Sequence, residues 1–266
     1  MIAALGVVAA QPGFDTKLGT PQEIFRGKCV IGSGTLCMNR ESILIFLVVI
    51  VLSAVLIAAT SRMQLVPRGL QNLVESTYEF IRRDVVIGVM GSEGEKYGPY
   101  LVTLFLFAFV ASAIEVVPAL QFPTTSRMAV PAMLAFISWG IYNWAGIRAH
   151  GFWGYLKGVA FPPGVSPKAI YVLVTPIEII AALFLRPITL AIRLFANFFA
   201  GHLLLLVFVV GADYASHRLS TVVFAPVALV AAVAVIGLEI FIAAVQAYVF
   251  ALLTAAYVRL ASEEEH

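Results

Sequence analysis

Residues 185–206 read LRPITLAIRLFANFFAGHLLLL, placing two arginines, an asparagine and a histidine in chain otherwise as apolar as lipid. The stretch lies in a run from 169 to 212, bounded by Lys168 and Asp213 and far too oily to face water. A charge at the centre of a bilayer costs about 3 kcal/mol on insertion scales. A chain that keeps Arg193 at that depth gains something by it, so this arginine is expected to be functional.

A second long apolar run spans 221–260, and a polar turn with Asp213, His217 and Arg218 joins the two. At about 1.5 Å per residue, forty helical residues reach roughly 60 Å, twice the hydrocarbon thickness. Splitting either run into two spans needs a polar turn at its middle, and none is written there. Pro187 and Pro226 kink a helix but supply no loop. Two long, tilted, antiparallel helices follow.

Upstream, 42–60 is a 19-residue apolar run, long enough to cross the membrane. Spans are also expected at 99–120, which carries Glu115 close to Pro118, and at 128–147. The latter holds Trp139, Tyr142 and Trp144 near its end as an interfacial aromatic cluster. Residues 66–88 differ. Apolar positions at Val66, Leu70, Leu73, Val74, Tyr78, Ile81 and Val85 recur at helical spacing, while Arg68, Asn72, Glu75, Glu79, Arg82 and Arg83 take the other face. Pro67 suits the first turn. Such a helix lies on the membrane surface, the alternative being a soluble helix packed on a partner. Residues 148–168 read as a loop containing His150. With 61% hydrophobic and 12% charged residues, the chain is expected to be an all-α polytopic membrane protein. It has five spanning helices (42–60, 99–120, 128–147, 170–211, 221–260) plus one surface amphipathic helix. The expected division is an N-terminal extracytoplasmic segment, 1–41, and a single membrane domain, 42–266.

The formal charge of +2 points to no nucleic-acid partner. Residues 1–10 carry no basic stretch ahead of their apolar residues, which argues against a cleaved signal peptide. With the loop after the first span in the cytoplasm, that side receives nine Lys and Arg: 62, 68, 82, 83, 96, 148, 157, 168 and 259. The other side receives six, at 17, 26, 28, 40, 127 and 218. This predicts an outside N-terminus and a cytoplasmic C-terminus. Cys29 and Cys37 share the N-terminal segment and read either as a local disulfide or as two free thiols. No metal site is expected.

On a wheel of about 100° per residue, Arg186 falls about 20° from Arg193 and Asn197 about 40°, while His202 lies on the opposite face. Glu178 falls about 60° to the other side, roughly 22 Å toward the cytoplasmic end. Glu239 and Gln246, seven apart, share a face of the last helix. An antiparallel register that pairs His202 with Glu239 sets Gln246 near the level of Arg193. An imidazole and a carboxylate that exchange protons make a relay. Arg193 has no acidic partner at its own depth, so its counter-charge is expected on another protein. Bland readings stand beside these. Arg186 can snorkel to the interface, Asn197 and Gln246 can be interhelical hydrogen-bond glue, and Glu115 can stabilise a helix end.

RPITLAIRLFANFFAGHLLLL followed by EIFIAAVQAYVFALLTAAYVRLASEEEH resembles the a subunit of the F-type ATP synthase membrane sector. GLQNLVESTYEFIRRDV, GEKYGPYLVTLFLFAF and VVP upstream are similar to the same family, so the resemblance covers about 65–266. It implies a spanning helix, a surface helix, a helical pair and a tilted hairpin set against a ring of c subunits in a bacterial plasma membrane. Arg193 would then face the c-ring carboxylates, with Gln246 near it and Asn197 one turn on. His202 and Glu239 would occupy the outer half-channel, and Glu178, with Arg186, the cytoplasmic half-channel. Partners implied are the c-subunit ring, peripheral-stalk b-type subunits, protons and the lipid bilayer. No cofactor and no catalysis by the chain itself are implied.

Two other classes compete. A secondary transporter calls for inverted repeats and broken helices. An intramembrane enzyme calls for metal ligands or a nucleophile constellation, and neither an HExxH motif nor a phosphate-binding loop is present.

Overall fold

The computed structural model describes residues 29–31, 38–61, 64–116, 128–161, 171–216 and 222–262. The N-terminal segment before residue 29, Cys37 and with it the Cys29–Cys37 pairing, His217 and the terminal glutamates lie outside the described residues. Apart from an antiparallel ribbon of two short strands, β1 (Cys29–Ile31) and β2 (Met38–Asn39), the described elements are helical.

α1 (Arg40–Ser61) is the first membrane-length helix. Its apolar residues are mostly exposed, Phe46, Ile50 and Ile57 among them, which suits a helix facing lipid. α2 (Leu70–Ile81) begins one turn later than Pro67 predicts. Gly69 precedes it with φ +60°, a backbone that breaks the winding and that glycine adopts without strain. From Arg82 to Met90 the same helix widens into π winding. Its inner side is fully buried at Ile81, Val85 and Val86 against Leu52, Leu101, Leu106 and Ala255. The outer side is charged and pinned, with Arg82 paired to Glu79 and donating to Glu95 of the short 3-10 turn Ser92–Tyr97.

α3 (Gly98–Val116) and α4 (Ala129–Ala160) form a helical pair. The Tyr100 and Ser138 hydroxyls join them at 3.0 Å. α4 runs past the end of the apolar run, so 148–160, including His150, is helical and not a loop. The chain changes direction at Gly151, whose φ of +72° interrupts the helix. The aromatic cluster expected near residue 144 divides. Trp144 is 65% exposed, whereas Tyr142 is 1% exposed and points into the bundle.

α5 (Tyr171–Ile180) and α6 (Arg186–Ser216) are one long rod, joined by π turns at Ala181–Leu185. After a 3-10 turn, Val222–Phe224, the last helix α7 (Ala225–Ser262) runs back along it. Among the described residues, five helices are long and apolar enough to cross a membrane. α7 is the hub, packing on α3, α4 and α6. Ala243, Ala247, Ala251 and Ala255, four apart, are each 1% exposed or less. Such a stripe of small residues lets helices approach closely, which drives association where hydrophobicity cannot. Arg259 ties the end of α7 to the surface helix by donating to the Val89 carbonyl at 2.7 Å.

Candidate functional site

α6 is held to the bundle by Leu190, Ala191 and Leu194, all under 4% exposed, which pack with Leu104, Leu134, Ala243 and Phe250. This burial fixes the helix about its own axis. Arg193 therefore falls on the outer face, exposed beside Ile188 and Ile192, which are also exposed. Among the described residues no carboxylate lies within ion-pair distance of its guanidinium. A permanent charge sits in a field of exposed aliphatics, on the side that leaves the protein.

One turn on, Asn197 Nδ2 donates to Gln246 Oε1 at 2.7 Å, crossing from α6 to α7. Gln246 is 4% exposed, and its own Nε2 is buried with no hydrogen-bond partner among the described residues. A buried amide donor without a partner costs about 1–3 kcal/mol. The spare donor thus marks a polar spot at the level of the arginine.

A further turn along, Gly201 faces Glu239. A Cβ at 201 would stand 3.0 Å from Glu239 Oε1 and 3.2 Å from its Cγ. The missing side chain makes room for the carboxylate, whose Oε1 is buried. His202 follows Gly201 in the same helix, and its side chain lies outside the described residues.

Below Arg193, the wide turns at 181–185 change the reading of Glu178. In uninterrupted α winding, eight residues separate Glu178 and Arg186 by about 80°. A π bulge absorbs one extra residue and turns what lies before it by about 100°, bringing the two into line. Glu178 Oε2 and Arg186 Nη2 accordingly lie 3.8 Å apart, and Glu178 moves to the Asn197 side of Arg193. Arg186 also stacks over the Tyr257 ring at 5.5 Å, and that ring meets Tyr142 at 5.7 Å. Beside them the Tyr155 hydroxyl donates to Asn143 Oδ1 at 2.9 Å.

The structure thus joins Asn197 with Gln246 and Glu178 with Arg186, sets Glu239 against Gly201, and leaves Arg193 facing outward. Sequence reasoning missed Tyr142, Tyr155, Tyr257 and Gly201. Tyr257 had a usable signal. It lies eighteen residues after Glu239, five whole turns at about 100° per residue, and so shares a face with Glu239 and Gln246. Tyr142 and Tyr155 had none, because they come from a helix whose facing cannot be told from its own apolar pattern.

A family model described as the ATP synthase A chain matches residues 42–259. The chain is 42% identical to the ATP synthase subunit a of Frankia alni over 255 residues, covering 94% of this chain and 87% of that relative. It is 41% identical to that of a Parafrankia species, over 95% of this chain and 85% of the relative. Against that of a Nocardioides species it is 40% identical, over 92% and 87%.

Proposed function

The chain belongs to the ATP synthase A chain family, and from that premise we propose that Arg193 is the fixed charge at which a rotating ring of c subunits gives up its protons. The chain is the non-catalytic, proton-translocating a subunit of a bacterial F-type ATP synthase and crosses the membrane several times. The observation that carries the proposal is the exposure of Arg193 on an apolar outer face without a carboxylate near it among the described residues. In lipid alone that arrangement is costly. Against a ring whose carboxylates pass at the same depth, each passing anion supplies the missing counter-charge.

The mechanism follows from charge. A proton entering from the outside passes His202 and Glu239 and neutralises a ring carboxylate. The neutral acid travels through lipid cheaply, and its anion does not. After nearly a full turn the acid approaches Arg193, whose charge favours the deprotonated form. The proton then leaves past Glu178 and Arg186 to the cytoplasm. Because an arginine keeps its charge even when desolvated, it bars a direct leak between the two half-channels. The spare Gln246 donor and the Asn197 amide support the passing carboxylate beside it. In this reading the N-terminus is outside, the C-terminus is cytoplasmic, and the peripheral stalk holds the subunit still. The membrane domain is 42–266, with 1–41 extracytoplasmic.

Arg193→Ala tests this in the complete complex. ATP-driven acidification of inverted vesicles is expected to be abolished while the complex remains assembled. Normal pumping by that variant would sink the proposal.

A further inference from the structure

The wide turns between α5 and α6 contain a carbonyl that its own helix cannot satisfy. The Arg186 amide donates to Ala181 O, five residues back. Ala182 O would look to the Arg186 amide in α winding, where the donor is already engaged, or to residue 187 in π winding. Residue 187 is proline and has no N–H. Ala182 is nevertheless 1% exposed, out of reach of water. The donor comes from another helix: Tyr142 Oη donates to Ala182 O at 2.8 Å, and Tyr142 is itself 1% exposed. The hydroxyl and the carbonyl each need the other, since neither is buried cheaply alone.

We propose that Tyr142 is a positioning residue for proton translocation, its hydroxyl holding the turn at 181–185 open and so setting the rotational phase of Glu178 relative to Arg193. The proposal rests on the reading of Arg193 given above. Without the hydroxyl, the cheapest repair is for the Arg186 amide to swing from Ala181 to Ala182. That closes the turn toward α winding and rotates the preceding segment by about 100°. α6 stays in place, because Leu190, Ala191 and Leu194 are buried in the bundle. The segment that turns is α5, whose Leu173, Ile177 and Ile180 are all exposed. Glu178 then leaves the face it shares with Arg186, and the path below Arg193 loses its carboxylate.

The test is made in the complete ATP synthase. Tyr142→Phe is expected to lower ATP-driven proton pumping about fivefold, the factor of one ordinary hydrogen bond, with complex levels unchanged. A second reading reports the phase itself. Thr175 Oγ1 donates to Ala160 O at 2.6 Å, so Ala160→Cys with Thr175→Cys is expected to cross-link on oxidation. Tyr142→Phe is expected to reduce that cross-link. 4-Aminophenylalanine at position 142 keeps a donor in the same place and is expected to restore both. Pumping at the parent level in Tyr142→Phe overturns the proposal, and so does slow pumping with an unchanged cross-link. If Tyr142→Phe fails to assemble, 4-aminophenylalanine decides: restored assembly and pumping support the proposal, and their absence overturns it. Arg193→Ala run in parallel separates the two readings. Blocked pumping there beside normal pumping in Tyr142→Phe removes only the role of Tyr142.

Discussion

The side chain of Asn197 donates to that of Gln246 across the α6–α7 seam at 2.7 Å, one turn above an arginine that faces outward. Hydrogen bonds between membrane helices are worth about 0.6 kcal/mol on average and up to about 1.7. This one fixes the register in which Glu239 meets Gly201, and among the described residues it leaves Gln246 Nε2 without a partner. Asn197→Leu and Gln246→Leu are each expected to slow ATP-driven proton pumping several-fold. The double variant is expected to be no slower than the worse single, because the two side chains act as one unit. Multiplicative losses in the double variant would show instead that they act separately.

The hairpin was legible in the sequence because two apolar runs of about forty residues admit few arrangements. The Arg193 face was legible for the same reason that it is costly: a guanidinium stands out in an aliphatic run. Glu178 was misjudged by the wheel. A wheel assumes one residue spacing throughout, and the π turns at 181–185 break that assumption. Pro187 is the local cause that was visible, since it removes the amide that regular winding needs. The helical continuation after residue 147 was hidden by polar residues and by Gly151, a kink at which the winding is interrupted and then resumes in a new direction. Trp144 and Tyr142 looked alike in composition, and only packing against the 181–185 turn and α7 separates the exposed one from the buried one.

Glu239 is the carboxylate through which incoming protons are proposed to pass. Glu239→Gln keeps the shape and a hydrogen-bonding group but cannot exchange a proton. Pumping is expected to fall by about a hundredfold or more, the lower end of what positioned acid–base groups contribute. Passive proton leak through the membrane sector is expected to stay at the parent level, since Arg193 is untouched. Unchanged acidification would take Glu239 out of the relay.

Gly201 tests the same carboxylate from the other side. A Cβ there stands 3.0 Å from Glu239 Oε1 and 3.4 Å from its Cδ, so alanine must push the carboxylate aside. Gly201→Ala is expected to slow pumping several-fold, and Gly201→Val to stop it, in complexes of normal abundance. Gly211 lies on the same helix, where a Cβ would meet nothing within 4 Å, and Gly211→Ala is expected to be neutral. Equal effects at the two glycines would point to helix flexibility as the cause.

Gly146 is a matter of stability. A Cβ at this position would meet the Tyr155 ring at 2.4 Å and the Ala261 carbonyl at 2.9 Å. Backbone cannot yield as a flexible side chain does, and overpacking of this kind costs about 1–3 kcal/mol or more. Gly146→Ala is expected to lower the amount of assembled subunit in the membrane. Quantitative blotting of the complex measures this directly, and parent-level assembly would mean that the contact relaxes freely.

Arg186 stands between two explanations, a snorkelling anchor and a member of the exit path. Its contacts are specific: Glu178 Oε2 at 3.8 Å and the Tyr257 ring at 5.5 Å. The ion pair is partly exposed on both sides, so its contribution to stability is at most about 1 kcal/mol. Removing the charge should therefore leave assembly intact while taking the cation out of the exit path. Arg186→Gln is expected to slow ATP-driven pumping several-fold with complex levels unchanged. Arg186→Lys, which keeps a positive charge in reach of Glu178, is expected to retain most of the rate. An anchor that only reaches the interface predicts parent-level pumping for both variants in complexes of normal abundance. Parent-level pumping by Arg186→Gln would therefore assign the residue to anchoring and leave Glu178 to act without it.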